Sequence, residues 1–567
     1  MEDKNKAGPK LHADRAMKPE NVQRRKWILL SALLVLTLLF CSLAVPSGTG
    51  SETSAEVWLT TGDRTNLLTK KAPVVFTDQD SSEEMLTVKV SPEVRYQTMD
   101  GFGAAITGSS AYLINHKMTE AQRNSLLGDL FTEDGIRLSF VRHTIGASDF
   151  SVDENGQPSS YTYDDIESGT DYGLEHFSID KDADVVSLLQ NMLKNNPAVK
   201  ILGSPWTAPP WMKYGENTYN GWYLDYSNPK VYDAYADYFV KYIQAYEAKG
   251  IPIYGLTVQN EPEFTSPGYP SMSMGAEEQA RFIRNYLGPA FIKQGIKTKI
   301  IAFDHNWKLG EAYAGKVLGD SGAASYIDGT AYHCYEGSPE AMSAVQSDFP
   351  DKNIYFTECS GGQWSPDFGD NLSWQMSNLI IGAPRNAAKT VLFWNLALDP
   401  DGGPTNGGCE DCRGVVTVNP ETGDVEKNAE YYALGHASKF VDPGAVRIAS
   451  TRYEGKLEPV AYENPDGSLV LIAANPGTAE LTFKAEWNGR SFSYSLPPQS
   501  AVTFKWLPDS GSRSQLGNII PAWLSMCMKR GYYNFTIQHM MMTIYTNQIL
   551  HEEFQRFIPS PNTPRVE

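Results

Sequence analysis

Two glutamates close short apolar stretches of the sequence, and each precedes residues that end a strand. Glu261 closes the stretch 254–261, in which apolar and polar residues alternate, and Pro262 cannot join a strand ladder. Glu358 closes the stretch 353–358, and two glycines follow it shortly afterwards. Catalytic side chains commonly lie at the carboxyl ends of parallel strands, so we expect the two carboxylates on one rim of a sheet.

A facing pair of carboxyl groups suits the cleavage of a glycosidic bond. One carboxyl group protonates the leaving oxygen, and the other meets the oxocarbenium-like centre. The first group must hold a proton near neutral pH, so its pKa must be raised by burial or by a like charge. The alternative for either glutamate is a solvated charge on a loop, and the repeated context favours the functional interpretation.

Eight strand-like stretches alternate with helix-like stretches through the middle of the chain. The strand candidates are 102–106, 138–142, 200–204, 254–259, 299–303, 328–332, 353–357 and 390–394. The helix candidates are 119–128, 182–194, 229–248, 275–294, 339–347 and 371–388, with caps that include Thr119 and Ser338. Eight such units over about 300 residues predict an α/β fold, a (β/α)₈ TIM barrel over 96–435, rather than an open sheet.

The segments on either side of this region have a different pattern. Residues 51–95 read as a linker followed by short alternating strands, and 436–507 return to period two with Asn-Pro, Asp-Gly and Asn-Gly turns. They predict an appended β-sandwich domain that is built from both segments. Residues 508–567 form a tail to which the sequence assigns no role; a poorly ordered extension and readthrough from a shifted reading frame are the alternatives.

Composition and the first 50 residues limit the class of protein. The formal net charge of −19 argues against nucleic-acid binding. Residues 1–50 contain a nearly unbroken apolar run, Trp27–Val45, preceded by Arg24-Arg25-Lys26, which predicts a signal peptide or an uncleaved signal anchor. Met17 is an alternative start. The bulk of the chain is therefore expected to be secreted or anchored outside the cytoplasm.

The cysteines give no sign of a metal centre. Cys409 and Cys412 form a lone Cys-x-x-Cys in a glycine-rich loop, without two further ligands at zinc-site spacing. A local disulfide or two free thiols are the alternatives for this pair. We expect no metal and no cofactor, and the sequence indicates no obligate protein partner.

Polar and aromatic residues occur at nearly every predicted strand end. Indole faces cover the C–H patches of a pyranose ring, while acids, amides and guanidinium groups bond its hydroxyls. The candidates for binding a polyhydroxylated, ring-shaped substrate are Arg142, Asp149, Trp206, Asn260, His333, Tyr335, Trp394 and Asp399. Arg142 would keep Glu358 ionised, and Tyr335 or His333 could hold it in place. The alternatives are a structural ion pair for Arg142 and a satisfied rim histidine for His333.

Six short strings at these strand ends resemble family 30 of the glycoside hydrolases, the glucosylceramidase and β-1,6-glucanase group. The resemblance covers roughly residues 55–507 and depends on the order of the strings. They are Asp100-Gly-Phe-Gly-Ala104, Ser204-Pro-Trp-Thr-Ala-Pro209, Thr257-Val-Gln-Asn-Glu-Pro262, Ala331-Tyr-His-Cys-Tyr335, Phe356-Thr-Glu358 and Trp394-Asn-Leu-Ala-Leu398.

The resemblance implies a retaining mechanism on a barrel joined to a β-sandwich from both ends of the chain. By it, Glu261 is the acid/base and Glu358 the nucleophile. The resemblance implies a β-glucoside substrate, in a polysaccharide or a glycolipid, and the residues implied to hold its glucosyl ring are Arg142, Asp149, Trp206, Asn260, His333, Tyr335 and Trp394. Retention requires the two carboxyl groups about 5 Å apart.

The natural aglycone is left open by the sequence. We expect a secreted glucosylceramidase-like β-glucosidase, and an endo-β-1,6-glucanase of the same family is the alternative. The glycine-rich loop 402–412 departs from animal glucosylceramidases and is closer to bacterial members, some of which cleave β-1,6-glucan. A xylan or xyloside hydrolase and a non-catalytic sugar-binding barrel are further alternatives.

Overall fold

The computed structural model describes residues 53–78 and 85–508. The predictions for the signal segment 1–50 and for the tail after 508 lie outside these residues. Within the described ranges, no helix is long and apolar enough to cross a membrane.

Eight parallel strands close into a barrel, which confirms the predicted (β/α)₈ fold. In chain order they are Gly101–Ile106, Phe140–Ile145, Lys200–Pro205, Gly255–Thr257, Lys299–Asn306, Ile327–His333, Asn353–Glu358 and Ala388–Asn395. The eighth strand pairs with the first, with Thr390 opposite Gly101, so the barrel has no open edge.

The barrel interior changes from apolar to polar along its axis. One apolar layer near the amino ends of the strands consists of Phe140, Leu202, Ile301, Ala331, Tyr355 and Leu392. Side chains two positions apart on a strand share a face. The residues two positions beyond Phe140, Leu202 and Leu392 are therefore stacked above them, and these are Arg142, Ser204 and Trp394. This polar layer forms the base of the site described below.

Helices and short helical turns surround the barrel. They are Gly108–His116, Glu120–Phe131, Asp180–Asp182, Ala183–Asn195, Pro210–Met212, Pro229–Ala248, Ala276–Phe282, Gly288–Gln294, Trp307–Gly319, Ser321–Ala324, Glu340–Asp348, Phe368–Gln375, Gly382–Arg385 and Ala429–Ser438, with π turns at Ile283–Leu287 and Met376–Ile380. The Thr119 side chain caps its helix as predicted, whereas Pro339, not Ser338, precedes Glu340–Asp348. The sequence prediction missed Gly108–His116, because its residues 108–114 are all buried and show no polar face.

The β-sandwich is built from both ends of the described chain, as predicted. Its strand order is Thr69–Val75, Ser54–Thr61, Ser500–Trp506, Leu469–Asn475, Glu458–Glu463, Val446–Ser450, Leu86–Thr98, Leu481–Trp487 and Arg490–Leu496. Ser54–Thr61 pairs with Ser500–Trp506, which joins the two segments in one sheet. Leu86–Thr98 continues past the predicted boundary at 95, and helix Ala429–Ser438 crosses the predicted boundary at 435.

One buried histidine links the last barrel helix to the sandwich. His436 contacts the hydroxyls of Thr60 and Thr503 at 2.8 and 2.9 Å, and both threonines lie on sandwich strands. Burial lowers the pKa of His436 to about 3, so the neutral imidazole makes these contacts. Nearby, the rings of Trp58 and Phe440 pack at 5.3 Å. The barrel and the sandwich therefore share a packed and hydrogen-bonded junction.

Candidate active site

The segment that carries Glu261 leaves the barrel ladder earlier than predicted. The fourth strand ends at Thr257 rather than at Glu261. Beyond it, the Asn260 N–H donates to the Pro205 carbonyl at 2.8 Å, and the Glu261 N–H donates to the Asp304 carbonyl at 2.9 Å. Glu261 has a φ of 42°, a conformation that non-glycine residues adopt rarely and that clusters at functional sites. The neighbouring strand ends thus fix this glutamate on the rim.

Glu261 and Glu358 meet at one imidazole nitrogen. His333 Nδ1 lies 3.1 Å from Glu261 Oε1 and 3.8 Å from Glu358 Oε1. Since both oxygens lie this close to the same atom, they are less than about 7 Å apart. Retaining glycosidases have carboxyl separations of about 5–5.5 Å and inverting enzymes about 6.5–9.5 Å, so this limit includes the retaining distance and excludes most of the inverting range.

Two side chains hold the Glu358 carboxylate. Arg142 Nη1 donates to Glu358 Oε2, and the Tyr335 hydroxyl donates to Oε1 at 2.9 Å. Each carboxylate oxygen therefore has its own donor, which fixes the rotation of the group. Both donors are residues predicted from the sequence.

Arg142 connects the predicted site residues to one another. Its Nη2 donates to Asn260 Oδ1 at 2.7 Å and to Asp304 Oδ2 at 2.9 Å. Its guanidinium carbon lies 5.0 Å from the centroid of the Trp206 ring and 5.4 Å from that of Trp394. A buried guanidinium with two carboxylate partners is a structural ion pair, and the same contacts position Glu358.

Asp304 is a buried member of the site that the sequence-based set of site residues omitted. Besides Arg142, it accepts hydrogen bonds from Thr257 at 2.6 Å and Thr357 at 2.7 Å, and it contacts His333 Nε2 at 2.9 Å. Burial raises its pKa, but the charges of Arg142 and His333 outweigh burial and hold the pKa well below its ordinary value. An acid directly after an apolar strand was the available signal, the same one that identified the two glutamates.

Removing the Asp304 carboxylate should destabilise the whole protein. We expect Asp304→Ala to lower the free energy of unfolding by about 3–5 kcal/mol, because Arg142 and His333 would keep buried charge without this partner. Urea unfolding of the variant against the wild type measures the change. Glu426→Gln is the matched control, since it breaks a surface ion pair with Arg64 in which both side chains are at least half exposed. Equal losses in the two variants would contradict the central role of Asp304.

The protonation pattern of the pair differs from the sequence-based expectation. Burial raises the pKa of Glu261, but the His333 hydrogen bond and the charges of His333 and His305 outweigh burial, so the pKa lies below its ordinary value. Burial lowers the pKa of His333, yet Glu358 and Asp304 raise it to about 10. The expected raised pKa of the acid is therefore wrong for the unliganded protein, in which His333 holds the proton.

This arrangement predicts a shift of the pH profile. In His333→Gln, Glu261 loses the cation that lowers its pKa, so the alkaline limb of kcat/KM should move to higher pH. The alkaline limb of kcat/KM reports the pKa of the catalytic acid in the free enzyme, and an acid with a higher pKa stays protonated at higher pH. His116→Gln is the control, because His116 is partly exposed and pairs with Asp184 rather than with Glu261, so its alkaline limb should not move. An unchanged limb in His333→Gln would contradict the pattern.

Two stacked indoles and a buried carboxylate lie beside the pair, and we call this group the cleft. Trp206 and Trp394 stack with centroids 5.1 Å apart. Asp149 is buried, its Oδ1 has no hydrogen-bond partner, and burial together with the Glu358 charge raises its pKa well above the ordinary value. Indole faces beside an unpaired carboxyl group fit a ligand rich in hydroxyl groups.

The glycine-rich loop 402–412 lies against this cleft, as expected. The Asn406 N–H donates to the Asp149 carbonyl at 2.7 Å, and a Cβ on Gly408 would come within 3.0 Å of Asp149 Oδ2. Tyr269, which the sequence analysis did not single out, packs on the same cluster of aromatic residues. The loop therefore helps to shape the cleft.

The structure does not bring Asp399 into this set of contacts. Its carboxylate accepts the backbone N–H groups of Asp401 at 3.0 Å and Gly403 at 2.7 Å. These bonds organise the first turn of the glycine-rich loop. Asp399 therefore has a local structural role, unlike the other seven candidates for substrate binding.

Glu261, His305 and His333 are the one group of described residues whose spacing could hold a metal ion. Their ligand atoms lie within 4.8 Å of one another. However, both nitrogens of His333 contact carboxylates, and its raised pKa favours the imidazolium, which has no lone pair for a metal. We interpret the group as a cluster that shares a proton.

Two disulfides lie beside the site. Cys409 and Cys412 form the local disulfide that was one of the two alternatives. The second bond, Cys334–Cys359, was not predicted. It joins the residues directly after His333 and Glu358, and so ties together the ends of the sixth and seventh barrel strands.

Comparisons with known proteins identify the family of this chain. Residues 99–441 match the model of the glycosyl hydrolase family 30 TIM-barrel domain, and residues 444–504 match the beta sandwich domain of the same family. An endo-1,6-beta-D-glucanase of Aspergillus fumigatus is 36% identical over 460 residues, which cover 76% of this chain and 90% of that protein. The lysosomal acid glucosylceramidase of Mus musculus is 30% identical over 446 residues, covering 74% and 83%. The solved structure of an endo-beta1,6-glucanase superposes with a TM-score of 0.73 at 36% identity, covering 80% of this chain and 100% of that one.

Proposed function

The chain belongs to glycosyl hydrolase family 30, and from this premise we propose that it is a retaining endo-β-1,6-glucanase. The observation that carries the chemistry is the meeting of Glu261 and Glu358 at His333 Nδ1, beside a cleft with an unpaired carboxyl group. In the proposed mechanism Glu358 is the nucleophile and Glu261 is the acid and then the base.

In the first step, a Glu358 oxygen bonds C1 of the glucosyl unit while the bond from C1 to the glycosidic oxygen breaks. Glu261 gives its proton to that oxygen, and the leaving sugar departs as an alcohol. Glu261 must therefore be protonated in the complex, although its pKa is lowered in the free protein. A bound sugar excludes water and strengthens the repulsion between the two carboxylates, which raises the pKa of Glu261.

In the second step, Glu261 takes a proton from water, and the water oxygen bonds C1. The ester bond to Glu358 breaks and the carboxylate returns to its contacts with Arg142 and Tyr335. Two displacements at C1 restore the original anomeric configuration. Asn260, held by Arg142, is placed to bond the sugar 2-hydroxyl, a bond that strengthens in the transition state.

The substrate is proposed from the relatives. The Aspergillus fumigatus protein named as an endo-1,6-beta-glucanase is 36% identical to this chain, and the mouse glucosylceramidase is 30% identical. This order favours the alternative from the sequence analysis over the glucosylceramidase-like activity given first there. Glucosylceramide is the second candidate substrate, because one of the similar proteins is named a glucosylceramidase.

A substrate panel tests the proposal. We expect hydrolysis of β-1,6-glucan to oligosaccharides, with the β-anomer formed first in the NMR spectrum, and much slower hydrolysis of glucosylceramide and xylan. First release of the α-anomer would contradict retention. Preference for glucosylceramide would contradict the proposed substrate and favour the second candidate.

We further propose that the enzyme is exported. The apolar run Trp27–Val45 and the two disulfides support an oxidising compartment outside the cytoplasm. Fractionation of producing cells should place the enzyme in the medium, or in the membrane fraction if the signal stays uncleaved. Recovery from the cytoplasm alone would contradict export.

A further inference from the structure

A cavity of about 440 Å³ opens next to Glu358, on the other side of Tyr335. It is lined by Tyr335, Trp364, Trp374, Gln375 and the Cys334–Cys359 disulfide, among others. Its size falls in the range of small-ligand pockets, about 300–1,000 Å³. The mechanism proposed above uses none of these residues except Tyr335.

Three of the lining aromatic rings are exposed. Trp364 is 55% exposed, Trp374 is 45% exposed and Tyr335 is 44% exposed. Aromatic residues with a polar tip are common where one face packs on a ligand and the tip remains in water. Single exposed hydrophobic residues are normal on a protein surface, but three exposed aromatic rings grouped around one cavity are typical of a binding site.

The two indoles are held in place rather than loosely attached. Trp374 lies on helix Phe368–Gln375. The ring of Trp364 lies directly on Gly362, since a Cβ there would come within 2.0 Å of Trp364 Cζ3. Gly362 itself pairs with Cys412 in a short two-stranded sheet. A rigid backbone therefore presents both rings.

Gln375 lies at the floor of the cavity. The side chain is 1% exposed, and its Nε2 donates to Asn371 Oδ1 at 2.8 Å. Its Oε1 has no partner among the described residues. This oxygen is itself buried, so Gln375 forms the floor of the cavity rather than a hydrogen-bonding partner for a ligand.

We propose that this cavity binds the next glucosyl unit of the β-glucan, across Tyr335 from the Trp206–Trp394 pair. The inference rests on the proposed function and deepens it. The Tyr335 hydroxyl bonds Glu358 at 2.9 Å, so one side chain contacts the nucleophile and also lines the cavity. A pyranose supplies C–H faces for the indoles and hydroxyls for polar lining residues such as Ser365 and Asp370, which an acyl chain could not bond.

The test compares a substrate that reaches the cavity with one that does not. β-Glucosyl fluoride has a single-atom leaving group and occupies only the glucose cleft, whereas a β-1,6-linked glucotetraose extends beyond it. For Trp364→Ala and Trp374→Ala, the ratio of kcat/KM for the tetraose to kcat/KM for the fluoride should fall at least about tenfold. The melting temperatures of both variants are measured alongside to detect misfolding.

Tyr226→Ala is the matched control, because Tyr226 is an exposed rim aromatic that packs on Tyr223 and does not line the cavity. Its ratio should remain at the wild-type value. An unchanged ratio in both tryptophan variants, or equal losses on the two substrates, would overturn the subsite while leaving the proposed function intact. Loss confined to glucosylceramide hydrolysis would overturn it in favour of a lipid chain. A wild-type enzyme that cleaves the fluoride but not the tetraose would overturn the proposed function and the subsite with it.

Discussion

Glu358→Gln should lower kcat on β-1,6-glucan by at least about 10,000-fold while the protein remains folded. Glutamine keeps the shape of the side chain and can still contact Arg142 and Tyr335, but its amide is a poor nucleophile. Steady-state hydrolysis of the glucan measures the loss, and the melting temperature monitors the fold. A variant with near wild-type turnover would show that another group attacks C1.

The Glu358→Ala variant tests the same assignment by chemistry rather than by rate. Azide can fill the space left by the carboxylate and attack an activated aryl β-glucoside once, so the product should be the α-glucosyl azide. Hydrolysis should not return, because no ester intermediate can form. A β-glucosyl azide from this variant would contradict the nucleophile assignment.

Glu261→Ala should show a loss that depends on the leaving group. On β-1,6-glucan the leaving oxygen needs a proton, and removal of a positioned acid costs about 10²–10⁴ in rate. On dinitrophenyl β-glucoside the leaving group departs without a proton, so the first step should proceed and the glucosyl ester on Glu358 should accumulate. A burst of dinitrophenol followed by a slow steady rate is the expected trace.

Azide distinguishes Glu261→Ala from the nucleophile variant. It needs no general base, so it should attack the accumulated ester, raise the steady rate and give the β-glucosyl azide after two inversions. Equal losses on glucan and on the dinitrophenyl substrate, without a burst, would contradict the acid/base role of Glu261.

The barrel and most of the site were predictable because the signals were local. An apolar strand followed by an acid and a breaker identified Glu261 and Glu358. Arg142 and His333 were predicted at the ends of their strands; His333 ends its strand, whereas Arg142 lies in the middle of Phe140–Ile145. Because side chains at the carboxyl ends of parallel strands converge on one rim, these positions were enough to predict that they would meet.

What the sequence could not provide were properties that depend on contacts between distant segments. The pKa of Glu261 is set by His333, and that of His333 by Asp304 and Glu358, so no single stretch indicates the charge pattern. The bond between Cys334 and Cys359 depends on the pairing of two strands. Asp399 was placed by proximity in sequence to Trp394, and its turn contacts removed it from the site.

The pairing of Ser54–Thr61 with Ser500–Trp506 has a consequence for biosynthesis. At ribosomal rates of about 5–20 residues per second, the early strand waits tens of seconds for its late partner. During that interval one of its edges is available for wrong pairing. We expect that chains halted before Ser500 aggregate, and that slower elongation prolongs the time for which a chaperone must shield this edge.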